Sequence, residues 1–291
     1  MSSSVISVRQ PHLTIDGVTF AKGFARQPFG VQHSLVRHPL LSLDAIADLA
    51  DEMPRDAVER HRADLPMVMP GGAPELEGTP SDTVRGIESN GCWMVLWNIE
   101  QVARYKALLD ECLDEVERYV GDKHGGMRDR KAYLFLSAPD ATTPLHFDPE
   151  HNLLLQIRGI KDMNVGRFSD PADQQRELDR YHAGGHRNLD RVPEEFSLFR
   201  LQPGDGVYVW PFAPHWVKNG PEASISLSIT FRTHASWRAE RVHRFNARAR
   251  QLRISPRPAG QSRVADEAKA TAMELARLLR PHRSRTGRLG G

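Results

Sequence analysis

Residues 142–161 read TTPLHFDPEHNLLLQIRGIK. Two short runs rich in apolar and β-forming residues, LHFD and NLLLQI, lie on either side of Pro149 and Glu150, and Gly159 closes the second. Such punctuated runs read as strands joined by tight turns. Within the first, His146 and Asp148 are two residues apart, so an extended backbone sends both side chains to one face. One imidazole and one carboxylate on a face can bind one side of a cation.

The same texture continues on both sides. YLFLSA (133–138) precedes this stretch, with PDATTP as the break, and MNVGRF (163–168) follows it. A second β block holds FSLFRL (196–201), GVYVW (206–210) and SISLSITF (224–231), with Pro203-Gly204-Asp205 as a turn. Many short strands with this spacing predict an antiparallel jelly roll, and so a mainly β fold with flanking helices. A third metal donor must come from elsewhere in the sheet. His215 follows a strand and the stiff segment WPFAP (210–214), which makes it the best candidate. Two His and one carboxylate leave about three open positions on an octahedral ion, the arrangement of non-haem Fe(II) oxygenases. HxD alone is weak, since the chain has 13 His and a surface His bonded to a nearby Asp is the plain alternative. The surroundings strengthen it: Lys161, Thr143 and Asn152 could serve a cosubstrate that chelates iron and ends in a carboxylate. A Lys beside so apolar a run is costly to bury without an anion.

Outside the β blocks the periodicity is helical. Ser42 caps a predicted helix over 42–53 with the stripe Leu43, Ile46, Leu49 and Met53, and Pro54 ends it. A second runs from Val102 to Val120 with Tyr105, Leu109, Cys112, Val116 and Tyr119 as a core stripe. Residues 70–80 are a loop rich in Pro and Gly. Residues 169–195 are polar and read as an inserted surface loop; there His182 and His186 have a metal-pair spacing, but Gly184-Gly185 favours a solvated loop. His151 reads as a neighbour of the site or as a plain surface His, and Asp205 as the cap of its own turn. Two C-terminal helices carry Trp237, Val242, Phe245 and Leu252, then Val264, Ala268, Ala272, Leu275 and Leu279, and the last ten residues fray.

The chain of 291 residues is 40% hydrophobic and 26% charged, which suits a globular domain. Its two cysteines, Cys92 and Cys112, exclude a disulfide framework and fit two buried thiols in a reducing cytosol. Neither a leader nor a membrane span is evident, so a cytoplasmic location and no membrane partner are expected. The net charge of +2 hides an asymmetry: from Thr233 onward thirteen Arg and Lys269 face only four acids. That basic tail could contact nucleic acid, but without a reader motif a solvated helix face is favoured.

The central stretch resembles the signature of JmjC-type, cupin-like Fe(II)/2-oxoglutarate oxygenases, especially the asparaginyl-hydroxylase branch. The resemblance rests on Thr143, His146, Asp148, Asn152 and Lys161, on the Gln156-x-x-Gly159 lead-in, and on Pro203, Gly204, Asp205, Tyr208, Pro211 and His215. It is close over about 130–235; the NIEQVARY segment (98–105) is similar to bacterial cupin-like members. It departs at Trp210 and Phe212, and 169–195 has no counterpart. The resemblance implies a double-stranded β-helix of 131–235 with the insert 169–195, a helical or mixed N-terminal part (1–130) and a basic helical tail (236–291). It implies Fe(II) on His146, Asp148 and His215, and 2-oxoglutarate held by Lys161 with Thr143, Asn152 and Thr230. O2 would be the oxidant, and a protein side chain or small molecule would be hydroxylated as 2-oxoglutarate becomes succinate. An N-methyl demethylase with the same iron centre, a non-catalytic cupin-like regulatory protein and a cupin-type isomerase are the rival readings. By the same resemblance the C-terminal helices pair two chains into a homodimer.

Overall fold

The computed structural model describes residues 10–63 and 78–278. The expectations for the extreme N-terminus, for most of the 70–80 loop, for Leu279 and for the last ten residues lie outside them. The strands are β1 (Leu13–Thr14), β2 (Phe29–His33), β3 (Val58–Arg62), β4 (Cys92–Leu96), β5 (Met127–Ser137), β6 (Thr142–His146), β7 (His151–Arg158), β8 (Lys161–Gly166), β9 (Phe196–Leu201), β10 (Asp205–Val209), β11 (His215–Asn219) and β12 (Ser224–Thr233). The helices are α1 (Gly17–Gly23), α2 (Leu43–Glu52), α3 (Pro80–Arg85), α4 (Ala103–Val120), α5 (Pro171–His182), α6 (His234–Gln251) and α7 (Arg263–Leu278).

One sheet has the order β1-β2-β10-β7-β12-β5-β4-β3 and the other β6-β11-β8-β9, with antiparallel pairing throughout. Leu154, Val207 and Val209 of the first sheet pack on Met163, Val165, Leu201 and Val217 of the second. This is the jelly roll that the strand pattern predicts, widened at both edges of the larger sheet. β5 begins at Met127, so the expected boundary at 130/131 falls inside a strand.

The alternation in β12 runs opposite to that of a simple sandwich. Ile225, Leu227, Ile229 and Phe231 belong to the large core shared with Leu109, Leu113 and Val116 of α4. Ser226, Ser228 and Thr230 therefore face between the sheets, in register with Gln156, Leu154 and Asn152. The helical layer takes the apolar face, and the space between the sheets receives the polar one. Helix α2 starts as predicted, with the Ser42 side chain accepting from Ala45 N at 3.2 Å, a cap of about 1 kcal/mol. Ile46 and Leu49 are buried beneath it. Tyr119 departs from its stripe: it is 42% exposed, with its hydroxyl donating to Ile15 O at 3.1 Å.

The insert is not simply a loop. Asp170 caps α5 through Ala172 N, and Pro171 takes the first position, where a missing N–H costs nothing. Leu178 is buried, and Asp179 pairs with Arg250 of α6 at 2.7 Å. His182 ends this helix packed against Phe212 and His243, and burial pulls its pKa down to about 3. It is therefore not the solvated loop residue that the Gly pair suggests. His186 lies instead beside the Arg180 guanidinium. Among the described residues the helices are too short or too polar to cross a membrane. Both cysteines are buried free thiols. In α6, Arg238, Arg241 and Arg244 pair with Glu267, Glu274 and Glu240. Trp237 is covered by Arg128 and Arg241, whereas Val264 (82%) and Leu275 (56%) of α7 stay exposed.

Candidate metal centre

β6 ends at His146, and β11 begins at His215 directly opposite it. The two rings are 4.1 Å apart by centroid. In each, Nδ1 lies against a backbone oxygen, at 2.8 Å from Pro144 O and 2.9 Å from Ala213 O. A carbonyl oxygen only accepts, so each Nδ1 carries the proton and each Nε2 keeps its lone pair free. Asp148 Oδ2 stands 3.8 Å from Nε2 of His146 and 3.6 Å from Nε2 of His215. Among the described residues this trio is the group whose donor atoms converge, all within 4.8 Å.

The electrostatics suit a cation. Burial, aided by the neighbouring His215, pulls His146 down to about 3, which keeps it a neutral donor. Burial alone would raise Asp148, but Arg187 and the two imidazoles outweigh it and hold the carboxyl well below its ordinary range. The segment before His215 is pinned as well. Phe212 adopts a left-handed φ of 64°, and its N–H donates to Asp148 O at 2.6 Å. Its ring joins Leu145, Phe147, Leu178 and Leu189 in a buried cluster, which gives a packing reason for the departure from the family pattern at this position.

Thr143 reaches the same face by a bulge. It precedes His146 by three positions, so simple alternation would put the two on opposite faces. In the register, Val217 opposes Thr143 while His215 opposes His146: two residues of β11 span three of β6. The extra residue of the bulge restores the shared face. Lys161 opposes Asn219 and Leu201, and it too points between the sheets, 4% exposed. The turn ahead of it is built by Gln156, whose amide donates to Arg158 O and Gly159 O at 2.6 and 3.0 Å. Gly159 has φ +70°, and a Cβ there would meet Ala223 O at 2.5 Å, so only glycine fits. Lys161 makes no ion pair or hydrogen bond within the described residues, and burial pulls it down to about 7. Asn152 accepts from Ser228 Oγ at 2.8 Å, and Thr230 lies opposite Asn152.

The other sequence candidates fall elsewhere. His151 is neither at the site nor at the surface: it is 1% exposed, stacked on Phe24 and Phe231, with Nδ1 2.7 Å from Tyr208 Oη. Asp205 caps its own turn through Gln202 N at 2.9 Å. Arg232 is held by Glu150 and Glu240. A surface groove of about 320 Å³, lined among others by Asp173, Arg176 and Arg191, contains none of the donors. Sequence reasoning missed Arg187, which pairs with Asp148 from within the insert. No spacing rule links positions 39 residues apart in sequence.

The JmjC domain family matches residues 124–238. No curated protein sequence matches the chain. Among solved structures the fold is similar to the ribosomal oxygenase YcfD from Escherichia coli. Its complex with cobalt and 2-oxoglutarate aligns with a TM-score of 0.54 at 16% identity, over 94% of this chain and 69% of that one. A second structure of E. coli YcfD gives 0.52 at 18% identity, over 92% and 69%. Identities this low establish likeness of fold. Residues 124–238 therefore match the JmjC domain family, and the chain as a whole shares the fold of these structures.

Proposed function

We propose that the protein is a 2-oxoglutarate-dependent dioxygenase that hydroxylates a protein side chain or a small molecule at an iron centre. One observation carries this reading: a converging His146–Asp148–His215 donor set shares the space between the sheets with a buried Lys161 that has no partner among the described residues. The donors fit Fe(II). They are two neutral imidazole nitrogens and a carboxylate on one face, which leave about three positions for cosubstrate and oxygen. Lys161 fits the far carboxylate of 2-oxoglutarate, because a buried lone cation is costly until an anion pairs with it. Arg232 is no substitute, since two glutamates already hold it. YcfD is solved with cobalt and 2-oxoglutarate, which supports the same ligand class here.

When bound, Fe(II), 2-oxoglutarate and O2 supply the oxidation: 2-oxoglutarate leaves as succinate and CO2, and the second oxygen atom enters a substrate C–H bond. The protein's own part is to hold and to orient. Nδ1–H of His146 and of His215, anchored on Pro144 and Ala213, fix the donor nitrogens. Lys161 orients the cosubstrate from the far end, with Thr143 on its own sheet and Asn152 and Thr230 on the facing sheet as polar support. Trp97, set edge-on to Tyr133, lies under the Arg187 guanidinium that pairs with Asp148. A cytoplasmic location goes with this reading and with two free buried thiols.

The test is succinate formation from 2-oxoglutarate in the presence of Fe(II) and O2, by the parent and by Asp148→Ala. Activity in the parent alone supports the reading. If the parent neither binds 2-oxoglutarate nor forms succinate with any cell extract, the proposal is wrong. A mass gain of an oxygen atom on a component of that extract identifies the substrate, and formaldehyde release would shift the reaction to N-demethylation.

A further inference from the structure

The two oxygens of Asp148 have different neighbours. Oδ2 faces the two imidazoles. Oδ1 is in a close ion pair with Nη1 of Arg187. Arg187 comes from the insert, yet its backbone is laid against β6. Phe147 N donates to Arg187 O at 3.3 Å, Leu189 N donates to Leu145 O at 2.9 Å, and Asn188 bridges to His146. Its guanidinium lies 5.5 Å over the Trp97 ring. Both members of the ion pair are 17% exposed. The insert therefore adds a short strand to the free edge of β6, and that strand delivers a cation to one oxygen of a metal donor.

We propose that Arg187 is a positioning residue that occupies Oδ1 of Asp148 and so confines this carboxylate to one-oxygen ligation. The inference rests on the iron-centre reading above and deepens it. With one oxygen from Asp148, three protein donors leave about three positions: two for the 2-oxo acid and one for O2. A carboxylate free to bind through both oxygens takes one of these. Once the cosubstrate chelates, the position for O2 is then gone. The charge works in the same direction. A guanidinium beside the donor set repels the metal, so its purpose is not affinity. The insert also acquires a link to the centre: whatever unseats the Arg187–Leu189 strand also releases Oδ1.

The test uses Co(II) as a probe in the full chain, with and without 2-oxoglutarate, and reads coordination by visible and X-ray absorption. Parent, Arg187→Ala, Arg187→Met and Arg187→Lys are compared; Met keeps an apolar stem over Trp97 in case Ala loosens the insert. The inference expects Ala and Met to bind Co(II) within about threefold of the parent while their 2-oxoglutarate complexes show one additional oxygen ligand. With Fe(II), succinate formation should fall about 10–100-fold, the usual range for lost outer partners of a metal ligand, and Lys should restore both readouts in part. Unchanged absorption in Ala and Met overturns the inference and leaves the iron-centre reading standing. Unchanged absorption with a raised KM for substrate also overturns it, making Arg187 a substrate contact. A parent that binds neither Co(II) nor 2-oxoglutarate overturns the iron-centre reading itself.

Discussion

Replacing Lys161 by Met should make the protein more stable and less able to bind 2-oxoglutarate. Met is close to Lys in length and fills the same space between the sheets without a charge. The magnitude follows from burial. The ammonium, 4% exposed with no anion beside it among the described residues, falls from its ordinary 10.5 to about 7. That drop corresponds to ~5 kcal/mol of lost charge solvation. Between pH 7 and 10.5 the unfolded chain holds this proton and the folded chain does not. Folded stability therefore rises with pH across this window, and the full penalty stands below it. Lys161→Met should thus gain several kcal/mol at pH 7, about 2 kcal/mol at pH 9 and little above pH 10. Binding runs the other way. The cosubstrate needs the protonated amine, so affinity in the parent should fall about tenfold per pH unit above pH 7, while the variant is flat. At pH 7 the variant should bind 2-oxoglutarate at least about thirtyfold more weakly, from the ~2 kcal/mol or more that a desolvated charge pair loses with one partner. Urea unfolding at pH 7 and pH 9, together with calorimetric titration of 2-oxoglutarate into the Co(II)-loaded protein, reads both effects. Equal stability with an unchanged binding curve would refute the idea of a lone buried cation awaiting an anion.

His146→Ala and Asp148→Ala should abolish Fe(II)-dependent succinate formation with little loss of melting temperature, because an open donor set does not support the domain; parent-like turnover in Asp148→Ala would sink the assignment. Removing 169–195 outright would strip Leu178 and Leu189 from the cluster around Phe147 and Phe212, so Leu178→Ala is the better probe. It should cost about 2–5 kcal/mol, and coupling of substrate oxidation should suffer more than 2-oxoglutarate turnover; equal loss of both would count against a cover over the site. The exposed Leu275 on α7 is expected at a homodimer seam, so light scattering should give twice the 32.8 kDa chain mass and Leu275→Arg should give a folded monomer. A parent mass of one chain would end that expectation.

The sequence by itself determined the strand blocks and the capped helix at Ser42, and it singled out the three side chains, His146, Asp148 and His215, that converge in the structure. These depend on local chemistry: alternation at period two, side chains that cap backbone N–H groups, and the few residue types able to bind a metal. The spacing of His146, Asp148 and Lys161 was legible because all three lie in one connected stretch of sequence. Helix α5 was not, although Asp170-Pro171 announced its start. Only Leu178 of it is deeply buried, so a helix polar on most sides reads as a loop. Which face of β12 looks inward was equally beyond the pattern, since alternation specifies two faces and only the helical layer decides which is covered. The same holds for Thr143, which shares a face with His146 through a bulge that no residue count reveals. Arg187 beside Asp148 is the plainest case. That contact joins an insert to a strand edge, and a through-space ion pair leaves no trace in the spacing of either segment. Only the tertiary structure, by folding the chain back on β6, decided it.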